Sequence, residues 1–139
     1  IRFSSKRCLD WDMGYDELVH LRETLAAMSL MICFSSSISV DSVIFDKPVI
    51  NLNFNVRQSV FPSKAATEYY KMEHYRAALK SGGIKEARNR EELKECINKY
   101  FENPALDREG RRRLTEKQCV FTDGKAGERI GKYVLQMLD

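Results

Sequence analysis

The sequence predicts a single α/β domain, residues 1–139, built on a mostly parallel sheet with helices on both faces. Helix-period and strand-like segments alternate along the chain, which is the grammar of layered α/β domains. The strand candidates are short continuous apolar runs rather than alternating ones, as expected of strands covered on both sides. With 139 residues and 16.1 kDa, the chain suits one core and is short for two.

Taken in order, Arg2-Phe3-Ser4 could end a short strand, and residues 5–15 have the polar composition of a loop around Asp10, Asp12 and Gly14. From Asp16, Leu18, Leu21, Leu25 and Met28 recur at helical spacing and predict a helix of about 13 residues. Leu30-Met31-Ile32-Cys33-Phe34 is a strand buried on both faces, stopped by Ser35-Ser36-Ser37. Ile38 to Phe45 is rich in β-branched residues and ambiguous by propensity. A short helix is expected there, because two parallel strands need a crossover between them. Asp46-Lys47 turns the chain into a second buried strand, Pro48 to Leu52, with proline at its permitted first position.

Residues 53–66 show no periodicity and predict a long loop. A helix from Thr67 to Lys80 should stop at Ser81-Gly82-Gly83, followed by a short strand at Ile84 to Ala87. Asn89, with Glu92 three residues on, predicts a capped helix whose inner stripe is Leu93, Cys96, Ile97 and Tyr100, ended by Pro104. Asp107 to Gln118 is a polar, arginine-rich helix. A last helix starts near Asp123 and carries Ile130, Val134, Leu135 and Leu138.

Composition excludes several classes. The chain is 43% hydrophobic and 31% charged, which is globular rather than disordered. Its longest apolar run is about five residues, against the roughly 20 a spanning helix needs. Net charge is +3, too mild for a nucleic-acid binder, and Arg111-Arg112-Arg113 is expected to be a solvated face. Cys8, Cys33, Cys96 and Cys119 form no CxxC pair, and neither His20 nor His74 has a partner at metal-ligand spacing. Cys33 and Cys96 are expected as small core residues, in a reducing, cytoplasmic setting. The chain opens at Ile1 rather than Met, which makes a piece of a longer protein the expectation.

Ligands of open parallel sheets bind beyond the carboxyl ends of the strands. The clearest such junction is Ser35-Ser36-Ser37, entering the helix at Ile38. Small hydroxyl residues there could leave backbone N–H groups free for a phosphate and add hydroxyl donors to it. The same residues could simply cap the helix. Asp41, one turn in, could reach a ribose or sugar hydroxyl, or be a first-turn acid favoured by the helix dipole.

The stretch from Ile32 to Leu52 resembles the donor-binding half of two-domain, B-type glycosyltransferases. It is most similar to the branch of CDP-glycerol glycerophosphotransferases and related surface-polysaccharide transferases. The residues that carry the resemblance are the apolar strand, Ser35-Ser36-Ser37, Asp41, and Lys47-Pro48-Val49-Ile50. Downstream, His74-Tyr75, the Gly82-Gly83 turn, Glu91-Glu92-Leu93, Asn103-Pro104 and Asp123-Gly124-Lys125-Ala126-Gly127-Glu128-Arg129-Ile130 extend it to most of the chain.

The resemblance implies a Rossmann-like domain, one half of the B-type fold, that binds a nucleotide-activated donor as substrate. It implies donor-phosphate contacts for Ser36 and Ser37 and a ribose or transferred-group contact for Asp41. His74 and Tyr75 would lie near the phosphate or base, and Asp123 and Arg129 at the pocket edge. In the bland alternative, His74 is a surface residue near a helix end, Asp123 a cap and Arg129 a paired cation.

Members that use CDP-glycerol often carry Thr-Asp-Tyr before the two serines. Here Cys33-Phe34-Ser35 stands there, which brings in nucleotide sugars as donors. No cofactor or metal is expected. The general base, and with it the partner surface, would lie in the N-terminal half of the longer protein. Membrane association is compatible with a lipid acceptor, and nucleic acid is not an expected partner. The alternative reading is a non-catalytic α/β module that senses a nucleotide or serves assembly.

Overall fold

The computed structural model describes residues 14–55 and 66–138. The expected strand at Arg2 to Ser4, most of the two expected loops, and Cys8 fall outside these residues. The order is α1 (Tyr15–Ala27), β1 (Met31–Cys33), α2 (Ile38–Ile44), β2 (Val49–Leu52), α3 (Ala66–Tyr69), α4 (Glu73–Lys80), β3 (Lys85–Ala87), α5 (Arg90–Glu102), α6 (Arg108–Cys119) and α7 (Ala126–Gln136). The three strands form an all-parallel sheet in the order β1-β2-β3, a Rossmann-like α/β fold.

Strand alternation divides the core in two. On one face Met31, Cys33, Val49 and Ile84 pack with Val43 of α2, Ala78 and Leu79 of α4, and Leu114 of α6. On the other, Ile50, Leu52 and Ala87 pack with Leu93, Cys96, Ile97 and Tyr100 of α5. Helices therefore cover both faces. That the crossovers carrying α2 and α4 lie on one face follows from the shared handedness of successive parallel connections.

The Asn89 cap forms as its spacing predicts. Its Oδ1 accepts from the Glu92 N–H at 2.8 Å, and Glu92 Oε2 accepts from the Arg88 N–H at 2.9 Å.

Three expectations change. β1 is covered on one face only: Ile32 is 42% exposed, because β1 lies at the sheet edge and α5 packs over β2 and β3. The expected helix from Thr67 to Lys80 breaks between Tyr70 and Met72. Tyr70 is buried with its hydroxyl donating to the Leu52 carbonyl at 3.0 Å, and Met72 takes an extended conformation at the start of α4. The arginine run is a solvated face only in part: Arg112 and Arg113 are exposed, but Arg111 is only 1% exposed.

Arg111 is buried because every arm of its fork has an acceptor. Nε donates to Asp46 Oδ1 at 2.8 Å, Nη1 to the Leu106 carbonyl at 2.7 Å, and Nη2 to the Pro104 carbonyl at 3.0 Å. Arg108 Nε donates to the other Asp46 oxygen at 2.7 Å. Arg113 reaches across to the Ser81 carbonyl at the end of α4, at 2.9 Å from Nη2. Asp46 itself has φ of 53°, the left-handed geometry that aspartate tolerates in a turn.

Beside this cluster α6 crosses the α4–β3 turn backbone against backbone. A Cβ on Gly110 would stand 2.3 Å from Gly82 backbone atoms, and one on Gly83 2.6 Å from Gly110. Gly82 also takes φ of +75° to end α4.

Gly110→Ala is expected to lower stability by about 2 kcal/mol or more in urea denaturation. Overpacking of backbone against backbone outweighs alanine's helix preference of about 1 kcal/mol. Gly131→Ala in α7, where a methyl group meets nothing within 4 Å, should not destabilise, and helix propensity favours it by up to about 1 kcal/mol.

Asp46 generates a pH dependence. Burial pushes its carboxyl up, but hydrogen bonds and charge from Arg111 and Arg108 outweigh this and hold it below the usual range. A folded value below the unfolded one contributes stability above the unfolded value, about pH 4, and loses it as pH falls through the folded value. Asp46→Asn should therefore flatten the acid limb of a stability curve measured by urea midpoints between about pH 2 and pH 5.

Candidate functional site

A cleft of about 160 Å³ opens on the sheet face that carries α2, α4 and α6. Ser36 and Ser37, at the junction leaving β1, form one wall with Ser39 and Val40 of α2. His74, Tyr75 and Ala78 of α4 form the opposite wall. Ile84 and Gln118 complete it from the start of β3 and the end of α6. Two segments far apart in sequence, both singled out by their residues, thus meet in one concavity.

The serine junction divides its labour. Ser36 Oγ accepts from the Ile38 N–H at 3.4 Å, a long bond, and Ser37 makes no side-chain cap. The N–H groups of Ser39, Val40 and Asp41 donate to the carbonyls of Ser36 and Ser37, at 2.8–3.2 Å. The first turn of α2 is therefore satisfied by its own backbone, and α2 has only seven residues. This corner offers a guest the hydroxyl groups of Ser36 and Ser37, while the N–H groups from Ser39 to Asp41 are taken by the helix. Ser35 is half-buried, and its hydroxyl acts on the Tyr75 phenol.

His74 is exposed and its ring lies 4.9 Å from that of Tyr75. Burial pushes the Tyr75 phenol up, as does neighbouring Cys33, while the Ser35 hydroxyl opposes them. Tyr75 therefore keeps its proton at neutral pH and can donate a hydrogen bond into the cleft. Tyr70 stands edge-on to Tyr75, with centroids 5.8 Å apart.

Asp41 is half-buried on α2 and not part of the cleft wall. Burial pushes its carboxyl up, and its charge adds to the burial that raises the Cys119 thiol. Asp123 and Arg129 are brought together with each other, not with the cleft. Arg129 Nη1 donates to Asp123 Oδ1 at 2.9 Å, and the guanidinium lies 4.0 Å over the Phe121 ring. That bond, with the Lys125 N–H, holds the exposed Asp123 carboxyl down to about 2. Asp123 thus shapes the turn into α7, two residues ahead of the helix-capping position.

Ser39, Gln118 and the apolar lining of Ala78 and Ile84 were not singled out by sequence reasoning. Ser39 is 1% exposed and its hydroxyl donates to Asn51 Oδ1 at 2.9 Å. The Cys33 thiol lies 3.2 Å from Ser39 Oγ and 3.4 Å from Asn51 Oδ1. Asn51, at the carboxyl end of the central strand, is fully buried. The available signal was a polar residue inside the otherwise apolar run Pro48 to Leu52. Among the described residues, no three His, Cys, Asp or Glu side chains gather as metal ligands, and no helix is long and apolar enough to cross a membrane.

Burial raises the Cys33 thiol more than the Ser39 hydrogen bond lowers it. Thiolate is the reactive form. Cys33 should accordingly be alkylated by iodoacetamide at pH 8 at least about tenfold more slowly in the folded chain than in urea, followed by peptide mass spectrometry.

Comparison of the chain with protein-family models, with curated proteins and with solved structures gave no match.

Proposed function

We propose that this chain is the donor-binding half of a transferase that moves a sugar or polyol-phosphate group from a nucleotide-activated donor to an acceptor hydroxyl. The observation that carries the reading is the shared cleft: Ser36 and Ser37 from the β1–α2 junction face His74 and Tyr75 from α4 across one opening. That opening lies on a parallel sheet, the architecture whose ligand crevices sit beyond the strand ends. Four side chains able to donate hydrogen bonds suit a diphosphate, and the apolar Ala78 and Ile84 suit the face of a base or ribose.

In this reading the hydroxyls of Ser36, Ser37 and Tyr75 stabilise charge growing on the leaving nucleotide. Fixed donors already in place need no reorganisation as that charge develops. This chemistry uses no metal. The base that removes the acceptor proton belongs to the other half of a two-domain enzyme, so this chain alone binds donor without turning it over. Its partners are the nucleotide donor and that second half.

Calorimetric titration of the chain with UDP, GDP, CDP and CMP tests the reading. One of them should bind, and the combined Ser36→Ala and Ser37→Ala change should weaken it at least about tenfold, the loss of about 1.4 kcal/mol. His74→Ala should weaken it less. Absence of binding to all four at millimolar concentration, with the circular dichroism of the folded chain retained, would point instead to a non-catalytic assembly module.

A further inference from the structure

The cleft encloses about 160 Å³, less than the roughly 300–1,000 Å³ of sites that take up a whole small molecule. It has room for one ring of a nucleotide, with the remainder outside. Among the described residues its lining includes no lysine, arginine, aspartate or glutamate, which suits an uncharged part of the guest. Val40, Ala78 and Ile84 supply apolar surface to that part.

Gln118 is the one amide among the lining residues. It stands on the last turn of α6, one turn beyond Leu114. Leu114 packs with Ala78 and Ile84, both of which also line the cleft. Helical side chains lean toward the helix N-terminus, which carries the Gln118 amide toward this apolar floor. Among the described residues, the side-chain hydrogen bonds of α6 engage Arg108, Glu109, Arg111, Arg112, Arg113 and Glu116, and Gln118 is outside that set. Its NH2 and its carbonyl are both open to a guest.

The cleft thus sets one donor and one acceptor side by side next to apolar surface. A nucleobase has the matching form, with apolar faces and an edge of donors and acceptors. A sugar ring does not, since hydroxyls pressed against Ala78 and Ile84 would lose water without gaining partners.

We infer that the cleft takes the base of the nucleotide and that Gln118 reads the hydrogen-bonding edge of that base. The inference rests on the proposed function and adds a specificity-determining residue to it, with the phosphates outside the cleft floor at Ser36 and Ser37. An amide pairs with any base that sets a donor beside an acceptor, as uracil, cytosine and guanine all do. A carboxylate only accepts. Of the three bases it matches guanine best, whose edge carries two adjacent N–H donors, and it meets ring or carbonyl acceptors on the other two.

The test is calorimetric titration of the whole chain, of Gln118→Leu and of Gln118→Glu with UDP, CDP and GDP. Gln118 is exposed, so both variants should fold, and circular dichroism checks this. Gln118→Leu keeps bulk and removes the amide. It should weaken the best-bound nucleotide at least about fivefold. Gln118→Glu should raise the ratio of GDP to CDP affinity at least about fivefold over the unaltered chain. That ratio cancels repulsion between the new carboxylate and the diphosphate, which all three nucleotides share, and a merely structural role for Gln118 would not move it.

A smaller loss in Gln118→Leu, or a smaller change of the ratio in Gln118→Glu, overturns the assignment and leaves the proposed function standing. If the glutamate variant binds nothing measurable, the leucine variant decides. Failure of every nucleotide to bind the unaltered chain removes both.

Discussion

The arrangement of the domain depends on one close passage of backbone over backbone, where α6 crosses the turn between α4 and β3. Gly110 and Gly83 meet there at a separation no side chain could share. Around that contact Arg111 ties α6 to the turn after α2, and Arg113 ties it to the end of α4. Leu114 then enters the core against Val43 and Ala78. Burying a leucine is worth about 1.5–3 kcal/mol, and a buried guanidinium is tolerable only with its acceptors complete. α2, α4 and the end of α6 all contribute residues to the cleft.

The cleft also explains why the core on this face is less apolar than the other. The face against α5 holds Ile50, Leu52, Ala87, Leu93 and Ile97. The face against α2 mixes Val49 and Leu114 with Ser39, Ser42 and Asn51, all nearly or fully buried. Ser42 is satisfied locally, donating to the Ile38 carbonyl at 2.6 Å. Ser39 and Asn51 instead satisfy each other across two elements. Such a pair contributes less to stability than apolar residues of the same size would.

The sequence made the layer order legible because apolar runs and helical periods alternate without overlap, and because Asn89 and Gly82 are strong local signals that tertiary packing did not oppose. Ile38 to Ile44 became a helix against β-branched propensity, for the topological reason that parallel strands need a crossover. Sequence could not show that Arg111 would be buried. Its acceptors are an aspartate in another turn and two carbonyls, and none has a pattern in the chain. Ser36, Ser37, His74 and Tyr75 were legible as candidates, through residue type and resemblance, and the fold brings them together. Asp123 and Arg129 drew attention by the same resemblance. Opposite charges six residues apart at a helix start found each other first. Asn51 stood out only as a polar residue in an apolar run, and the fold alone reveals its bond to Ser39 across two elements.

The last helix shows how little a well-formed element can owe to its domain. No residue of α7 is buried, and Ile130, Tyr133, Val134 and Leu135 are 51–65% exposed. Among the described residues, Arg129 with Asp123 and Phe121, and Lys132 with Glu128, supply its side-chain ties. It follows Val120, whose positive φ of 57° is unfavourable for a β-branched residue. An eleven-residue helix without tertiary support is marginal in water. Its melting therefore uncovers almost no fresh surface and adds almost nothing to the heat capacity of unfolding or to the denaturant slope. Among the described residues, the cooperative unit expected in both measurements therefore stops near Cys119, short of α7.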